Sequence, residues 1–218
     1  MAAILAADVA ACAAHCHHTL YARGGWKAEH RTAAIRHAQS AIAHSQDDPL
    51  ALAFGGFILG IDARDHAAAF TAFDQALAIS PSTALTYIFG SIILGFDGDA
   101  ERAAEWAERG LRLSQLDPWR SSALNTLAIG HIQRGRYEEA AATARKAVQC
   151  SPGFSVCHMW LAVALAKLGQ VEEAKAAGAR VLELHPAFRY GSWLSSVNCV
   201  PELTASLSES LRDTGLPE

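Results

Sequence analysis

The chain has no excess of basic residues, and it lacks the motifs of the common enzyme classes. Its 18 lysine and arginine residues are balanced by 22 aspartate and glutamate residues, for a formal charge of −4. Because nucleic-acid binding depends on clustered positive charge, this balance argues against a nucleic-acid partner. The sequence shows no phosphate-binding loop, nucleophile elbow or dinucleotide-binding glycine pattern. We therefore expect a protein that is not an enzyme and binds no cofactor.

The chain also lacks an uninterrupted apolar run that would suit a membrane span. From Gln75 to Phe96 no residue is charged over 22 positions, which is long enough to cross a bilayer. Pro81 interrupts this stretch, so two buried helices that meet at a turn are the better interpretation. Residues 1–7 are apolar but have no positive flank and end at Asp8, which is not typical of a secretory signal. We expect a cytoplasmic protein without a membrane partner.

The N-terminal segment contains a compact group of candidate metal ligands. Cys12, His15 and Cys16 have the spacing i, i+3, i+4, which predicts that they share one helix face. Thiolates and imidazoles are zinc ligands. Structural zinc sites usually draw on two separated pairs of ligands, and no second pair follows in the sequence. A weak zinc site and an ordinary packed helix face both remain open, and we favour the packed face.

Alanine recurs at a nearly constant interval along the chain, in steps of 35, 34, 37 and 34 residues. The recurring positions are Ala34, Ala69, Ala103, Ala140 and Ala174. Mostly small residues follow four and seven positions later, on the same helix face, where they let a neighbouring helix approach closely. Twelve positions later a proline or glutamine marks the point where the chain must leave the helix: Gln46, Pro81, Gln115, Pro152 and Pro186.

This layout resembles the tetratricopeptide repeat, a unit of 34 residues that forms two helices. The fourth and fifth units match it most clearly: Gly135 and Gly169 mark their turns and lie 34 residues apart, as do the closing Pro152 and Pro186. The middle of the chain matches less well, since Gly56 and Gly90 stand where leucine is usual. The 37-residue step reflects extra residues around 116–118, which we interpret as a loop insertion.

The resemblance implies an all-α fold, a right-handed solenoid of helical hairpins with about five repeats. We predict that the array occupies residues 1–186 and that capping helices occupy residues 187–218. Each repeat buries its apolar face only against its neighbours, so we count the array as one unit. The predicted helix pairs span roughly 2–45, 49–80, 83–114, 118–151 and 154–185.

Three segments resemble a narrower group of proteins. They are RGRYEEA at 134–140, LRLSQLDP at 111–118 and LRDTGLPE at 211–218. They are similar to the C-terminal tetratricopeptide region of bacterial adenylate/guanylate cyclase-like proteins and winged-helix regulators, over about residues 20–218. This resemblance implies a cyclase or DNA-binding domain upstream, none of whose residues are present here. It also implies a regulatory or oligomerisation role for the array.

In the fold that the resemblance implies, the first helix of each unit lines a concave face. A groove lined by apolar side chains suits the apolar stripe of an amphipathic helix. We therefore expect a protein or peptide helix as partner, including one from another domain of the parent protein. The residues that carry over to inward-facing positions are Phe54, Ile58, Ile61, Leu85, Ile88, Ile92, Ser122, Asn125, Ile129, Ile132, Val156, Met159, Val163 and Ala166.

Three interpretations of this face remain open. The residues can form ordinary core, with the terminal helices occupying the face; they can form an open groove for a partner; or two copies can bury the face in a homodimer. A clamp for acidic C-termini is excluded, because only Asn125 and Lys167 supply polar groups near the face.

Overall fold

The computed structural model describes residues 2–45, 47–116, 118–197 and 199–218, with side chains from residue 6 onward. The predicted unit-closing position Gln46, and Asp117 of the insertion, lie outside the described residues. Within these ranges the chain forms twelve α-helices and no strand. The predicted all-α solenoid class is confirmed.

Ten of the helices pair into five hairpins. The pairs are α1 (Ala2–Arg23) with α2 (Ala28–His44), α3 (Pro49–Ile58) with α4 (His66–Ile79), α5 (Ala84–Phe96) with α6 (Ala100–Leu113), α7 (Arg120–Gln133) with α8 (Tyr137–Cys150), and α9 (Ser155–Lys167) with α10 (Val171–Leu184). A π-helical turn, Leu59–Ala63, continues α3. Two further helices, α11 (Tyr190–Val197) and α12 (Pro201–Asp213), follow the array.

The hairpins stack in sequence. Each second helix contacts the first helix of the next hairpin, and the first helices α1, α3, α5, α7 and α9 contact one another in order. The first helices therefore form one layer, the inner face, and the second helices α2, α4, α6, α8 and α10 form the other. The C-terminal helix α12 packs against α9 and α10 and covers the end of the last hairpin.

The uncharged stretch from Gln75 to Phe96 is divided between two helices. The helix α4 ends at Ile79, and α5 begins at Ala84, with a turn between them. Among the described residues, no helix has both the length and the apolar character needed to span a bilayer. The interpretation of this stretch as two helices that meet at a turn therefore holds. The helix α5 is almost entirely buried, whereas Ala78 and Ile79 at the end of α4 are exposed.

The recurring alanines set the distance between helices. All five of the positions at Ala34, Ala69, Ala103, Ala140 and Ala174 are at most 1% exposed. Because their methyl groups are small, the facing helix can approach until its atoms contact the alanine side chains. A longer side chain at these positions would push the helices apart, because protein interiors are close-packed.

The glycines that weaken the repeat pattern face large aromatic residues on the second helix of the same hairpin. A Cβ atom built on Gly56 would lie 2.8 Å from Cε1 of Phe73, and one on Gly90 would lie 2.3 Å from Cζ3 of Trp106. Phe73 is fully buried, and Trp106 packs edge-on against Tyr87 with ring centroids 5.4 Å apart. The aromatic side chains of the second helix therefore fill the space that a leucine on the first helix would occupy.

The turns of the fourth and fifth units require glycine. Gly135 and Gly169 have φ angles of 69° and 73°, in the left-handed region. Each follows the end of a first helix, and its N–H donates to a carbonyl in the last helical turn. Glycine adopts this conformation without steric cost, which explains its 34-residue recurrence.

We predict that Gly90 and Trp106 are energetically coupled. Gly90→Leu should lower the free energy of unfolding by about 1–3 kcal/mol through overpacking, and Trp106→Ala by about 2–3 kcal/mol through the cavity it leaves. In the double variant the leucine fills part of that cavity, so the combined loss should be smaller than the sum. Urea denaturation of the four proteins measures this. Strictly additive losses would contradict the compensation.

Candidate functional site: the inner face and its cavity

The predicted inner-face residues divide into a core set and a cavity-lining set. The core set is completely covered by neighbouring helices, at 0% exposure: Ile58, Ile88, Met159 and Val163. Leu85 and Ile132 are also buried, and Phe54 and Ala166 are half-buried. The remaining residues line a central cavity: Ile61, Ile92, Ser122, Asn125, Ile129 and Val156. The core set packs within the protein itself. The prediction that Ile88 faces inward is wrong, because its side chain packs against Ala107 and Gly110 of α6. Contact of the other core residues with a partner stays a prediction.

The central cavity has a volume of about 410 Å³ and is bordered by every first helix. Its walls are rich in aromatic rings: Phe57, Phe96, Trp119, Trp160, Phe188 and Trp193. Polar side chains share the lining, among them His15, His18, Arg23, Asp62, Asn125 and His185. A concave, largely apolar space into which polar groups converge has the character of a small-molecule pocket.

Trp119 reaches the cavity from the loop insertion before α7. Its ring lies 4.9 Å from that of Phe89 and 5.1 Å from that of His15, measured between centroids. The repeat pattern gave no indication of this position, because the insertion has no counterpart in the other units. The large aromatic residue directly after Pro118 is the sequence feature from which an inward-packed loop could have been predicted.

The helix α11 lies across the inner face. The ring centroid of Trp193 is 5.5 Å from that of Trp160 and 6.2 Å from that of Phe96. Nearby, the Val200 N–H donates to the carbonyl of Phe96 at 3.1 Å, and Arg64 donates to the carbonyl of Ser195. The C-terminal segment thus occupies part of the inner face, as the first of the three interpretations expected.

The first hairpin also meets the last one across the cavity. The guanidinium carbon of Arg23, at the end of α1, lies 5.2 Å from the ring centroid of Phe154, just before α9. His185, directly after α10, and Arg23 both line the cavity. The array therefore curves far enough for residues from its two ends to enclose the cavity between them.

The carboxylate of Asp62 is buried and lines the cavity. Asp62 lies in the π-helical turn after α3, and its side chain is 1% exposed. Both carboxylate oxygens are 3.0 Å from Nδ1 of His18, and Nε of Arg31 donates to the backbone carbonyl of Asp62 at 2.6 Å. A π-turn shifts the register of the residues that follow it, and such turns often mark functional sites.

Burial keeps two of the cavity histidines neutral. It lowers the pKa of His15 to about 4, assisted by the nearby charges of His18 and Arg23. Burial also lowers the pKa of His185 below its ordinary value, again with a contribution from Arg23. Both rings are therefore uncharged at neutral pH, and each carries one donor and one acceptor nitrogen.

The structure does not bring the candidate zinc ligands together. Cys12 and Cys16 are exposed, whereas His15 turns inward, with its ring 5.5 Å from that of Phe54. Residues three apart on a helix differ by about 60° in direction, enough to place His15 under the facing helix α3. Among the residues that the structure describes, no group of three histidine, cysteine or carboxylate side chains is arranged to hold a metal.

Comparison with known proteins identifies the type of fold. The tetratricopeptide repeat family matches residues 131–192 of the sequence. Comparison with curated proteins found no match. The fold defines a helical-repeat solenoid, and residues 131–192 of it are similar to the tetratricopeptide repeat. The matches do not test the resemblance to cyclase-like proteins, which stays a prediction.

Solved structures with a similar fold cover most of the chain. PilF of Pseudomonas aeruginosa has a TM-score of 0.62 and 15% identity, covering 96% of this chain and 89% of that one. TTC0263, a thermophilic tetratricopeptide protein of Thermus thermophilus, has a TM-score of 0.65 and 18% identity, covering 92% and 97%. YrrB, described as having an unusual peptide-binding site, has a TM-score of 0.51 and 18% identity, covering 81% and 91%.

We predict that acidification destabilises the protein through His15. Its folded-state pKa of about 4 lies below the ordinary value of 6.5, so between these values the unfolded chain binds the extra proton. The free energy of unfolding should therefore fall as the pH is lowered from 7 to 5. His15→Phe should remove on the order of 1 kcal/mol of that fall, a figure reduced for partial solvent screening.

Urea denaturation at both pH values measures the effect. The control variant is His44→Phe, because His44 is exposed on α2. If His15→Phe and His44→Phe show the same pH dependence, the contribution of His15 is refuted.

Proposed function

We propose that this chain is a non-catalytic interaction module whose inner face binds an amphipathic helix in exchange with its own helix α11. The observation that carries this proposal is the position of α11. The inner face already holds a short helix through an aromatic anchor, Trp193, which is 6% exposed. A partner helix with an aromatic residue at the equivalent position would find the same contacts.

The helix α11 has the properties of an exchangeable ligand. It spans eight residues, too few to be stable as an isolated helix. Besides Trp193, its buried apolar side chains are Tyr190 and Leu194, at 3% and 7% exposure. Three apolar anchors within five residues suit the helix-in-groove mode of recognition. Because the segment is tethered, a partner must compete with its high effective concentration.

YrrB, a protein of similar fold with a peptide-binding site, supports the proposal at the level of the fold alone. The regulatory role in a larger cyclase-like protein, the homodimer and the cytoplasmic location stay predictions. Exchange of α11 would serve both the regulatory role and the homodimer, because a domain of the parent protein or a second copy can supply the competing helix.

We predict that weakening α11 opens the inner face to a peptide. The test uses Trp193→Ala and a fluorescent peptide with the sequence of residues 187–200. The variant should bind the peptide at least about tenfold more tightly than the unaltered chain, in which α11 competes. Fluorescence anisotropy measures the affinities, and circular dichroism confirms that the variant is folded.

Two controls make the result specific. A peptide in which the tryptophan is replaced by alanine should bind at least about tenfold more weakly, because the anchor is lost. Adding Ile92→Glu to the Trp193→Ala chain should abolish binding, since Ile92 is half-buried in the cavity wall. Ile88 is unsuitable for this purpose, because it is 0% exposed and a charge there would unfold the core. A folded Trp193→Ala chain that does not bind the unaltered peptide would overturn the proposal.

A further inference from the structure

The cavity concentrates buried polar atoms that have no partner within the protein. Among the described residues, seven buried side-chain nitrogen or oxygen atoms lack one. Four of them belong to residues that line the central cavity: His15, Trp26, Asn125 and His185. Buried polar atoms are nearly always hydrogen-bonded, because an unsatisfied group costs about 1–3 kcal/mol. Their concentration around one cavity indicates that it accommodates a molecule with complementary polar groups.

Each of these atoms limits the chemistry of that molecule. Asn125 is 4% exposed, and its Nδ2 donates to Sγ of Cys157 at 3.5 Å, which leaves Oδ1 as a free acceptor. His185 is 8% exposed, and its Nε2 has no partner. The indole Nε1 of Trp26 can only donate. The site therefore calls for a molecule with more than one hydrogen-bond donor and at least one acceptor.

The charges around the cavity do not favour a strongly charged ligand. The Asp62 carboxylate is engaged by His18, and the Arg23 guanidinium lies over the ring of Phe154. Two cavity histidines, His15 and His185, are neutral at pH 7 for the reasons given above. An ionised ligand in the buried part of the cavity would lose its hydration, because Arg23, the cationic side chain in the lining, is an exposed residue at the end of α1.

The size and walls of the cavity define the rest of the ligand. A volume of about 410 Å³ lies at the small end of the range for ligand pockets. Rings of Phe96, Trp160 and Trp193 surround it within stacking or edge-to-face distance of one another. Planar rings pack well against such walls.

We propose that the central cavity is a binding site for an uncharged, planar aromatic molecule of one or two rings that carries hydroxyl or N–H donors. The site shares Trp193 of α11 with the inner face, but its polar recognition comes from Asn125, His185 and Trp26 rather than from α11. Asn125 and His185 would accept the donors of the molecule, and Trp26 would donate to its acceptor.

The proposal is tested with 5-hydroxyindole as the probe, using isothermal titration calorimetry on the complete chain at pH 7. Two two-ring molecules serve as comparisons: naphthalene, which has no donor, and naphthalene-2-carboxylate, which is charged. We expect 5-hydroxyindole to bind with a dissociation constant below about 1 mM, the range that its size permits. Naphthalene and naphthalene-2-carboxylate should bind at least about tenfold more weakly.

Matched variants assign the binding to the cavity. Asn125→Leu removes the acceptor at similar volume and should weaken 5-hydroxyindole binding about tenfold, and Trp26→Phe should act in the same direction. The control is Thr86→Val, because Thr86 also has a buried oxygen without a partner but does not line the cavity. Thr86→Val should leave the affinity unchanged.

The outcomes that overturn the proposal are specific. Absence of measurable 5-hydroxyindole binding at 1 mM would mean that the cavity holds only solvent. Equal affinity for naphthalene, or unchanged affinity in folded Asn125→Leu and Trp26→Phe, would mean that the polar atoms do not recognise the ligand. Each result is independent of the peptide experiment, which reports on α11.

Discussion

The close approach of two helices within each hairpin is the constraint on which the rest of the structure depends. Alanine at the five recurring positions leaves almost no side-chain volume between the helices. Where the first helix carries Gly56 or Gly90, an aromatic residue of the second helix fills the space. Because the spacing is preserved in every unit, the hairpins stack in register and the large side chains of the first helices accumulate on the inner face.

The features that the sequence predicted are those that repeat. The alanines, the turn glycines Gly135 and Gly169, and the closing prolines depend on local geometry, which recurs about every 34 residues. The repeat also predicts a set of inward-facing positions on the first helices. The repeat does not predict which of them are covered: Ile88 lies in the core and Ile92 borders the cavity, although they are four residues apart on one helix.

The features that the sequence did not predict depend on contacts between distant segments. Trp119 belongs to an insertion, and Trp193 to the tail, so neither has a periodic neighbour that would place it. The spacing of Cys12, His15 and Cys16 placed them on one broad helix face, but spacing alone cannot tell which edge of that face turns inward. The contact between His15 and Phe54 of α3 determines which edge turns inward. This contact joins residues that are far apart in the sequence.

The contact between Arg23 and Phe154 changes how the molecule responds to partial unfolding. In an open solenoid, the terminal repeats fray independently, because each repeat contacts only its neighbours. Here the first hairpin touches the last one, and α11 reaches back to the π-helical turn of the second. Detaching either end breaks contacts at the other, so local opening becomes coupled along the whole chain. We therefore expect the two ends of this linear array to open together rather than independently.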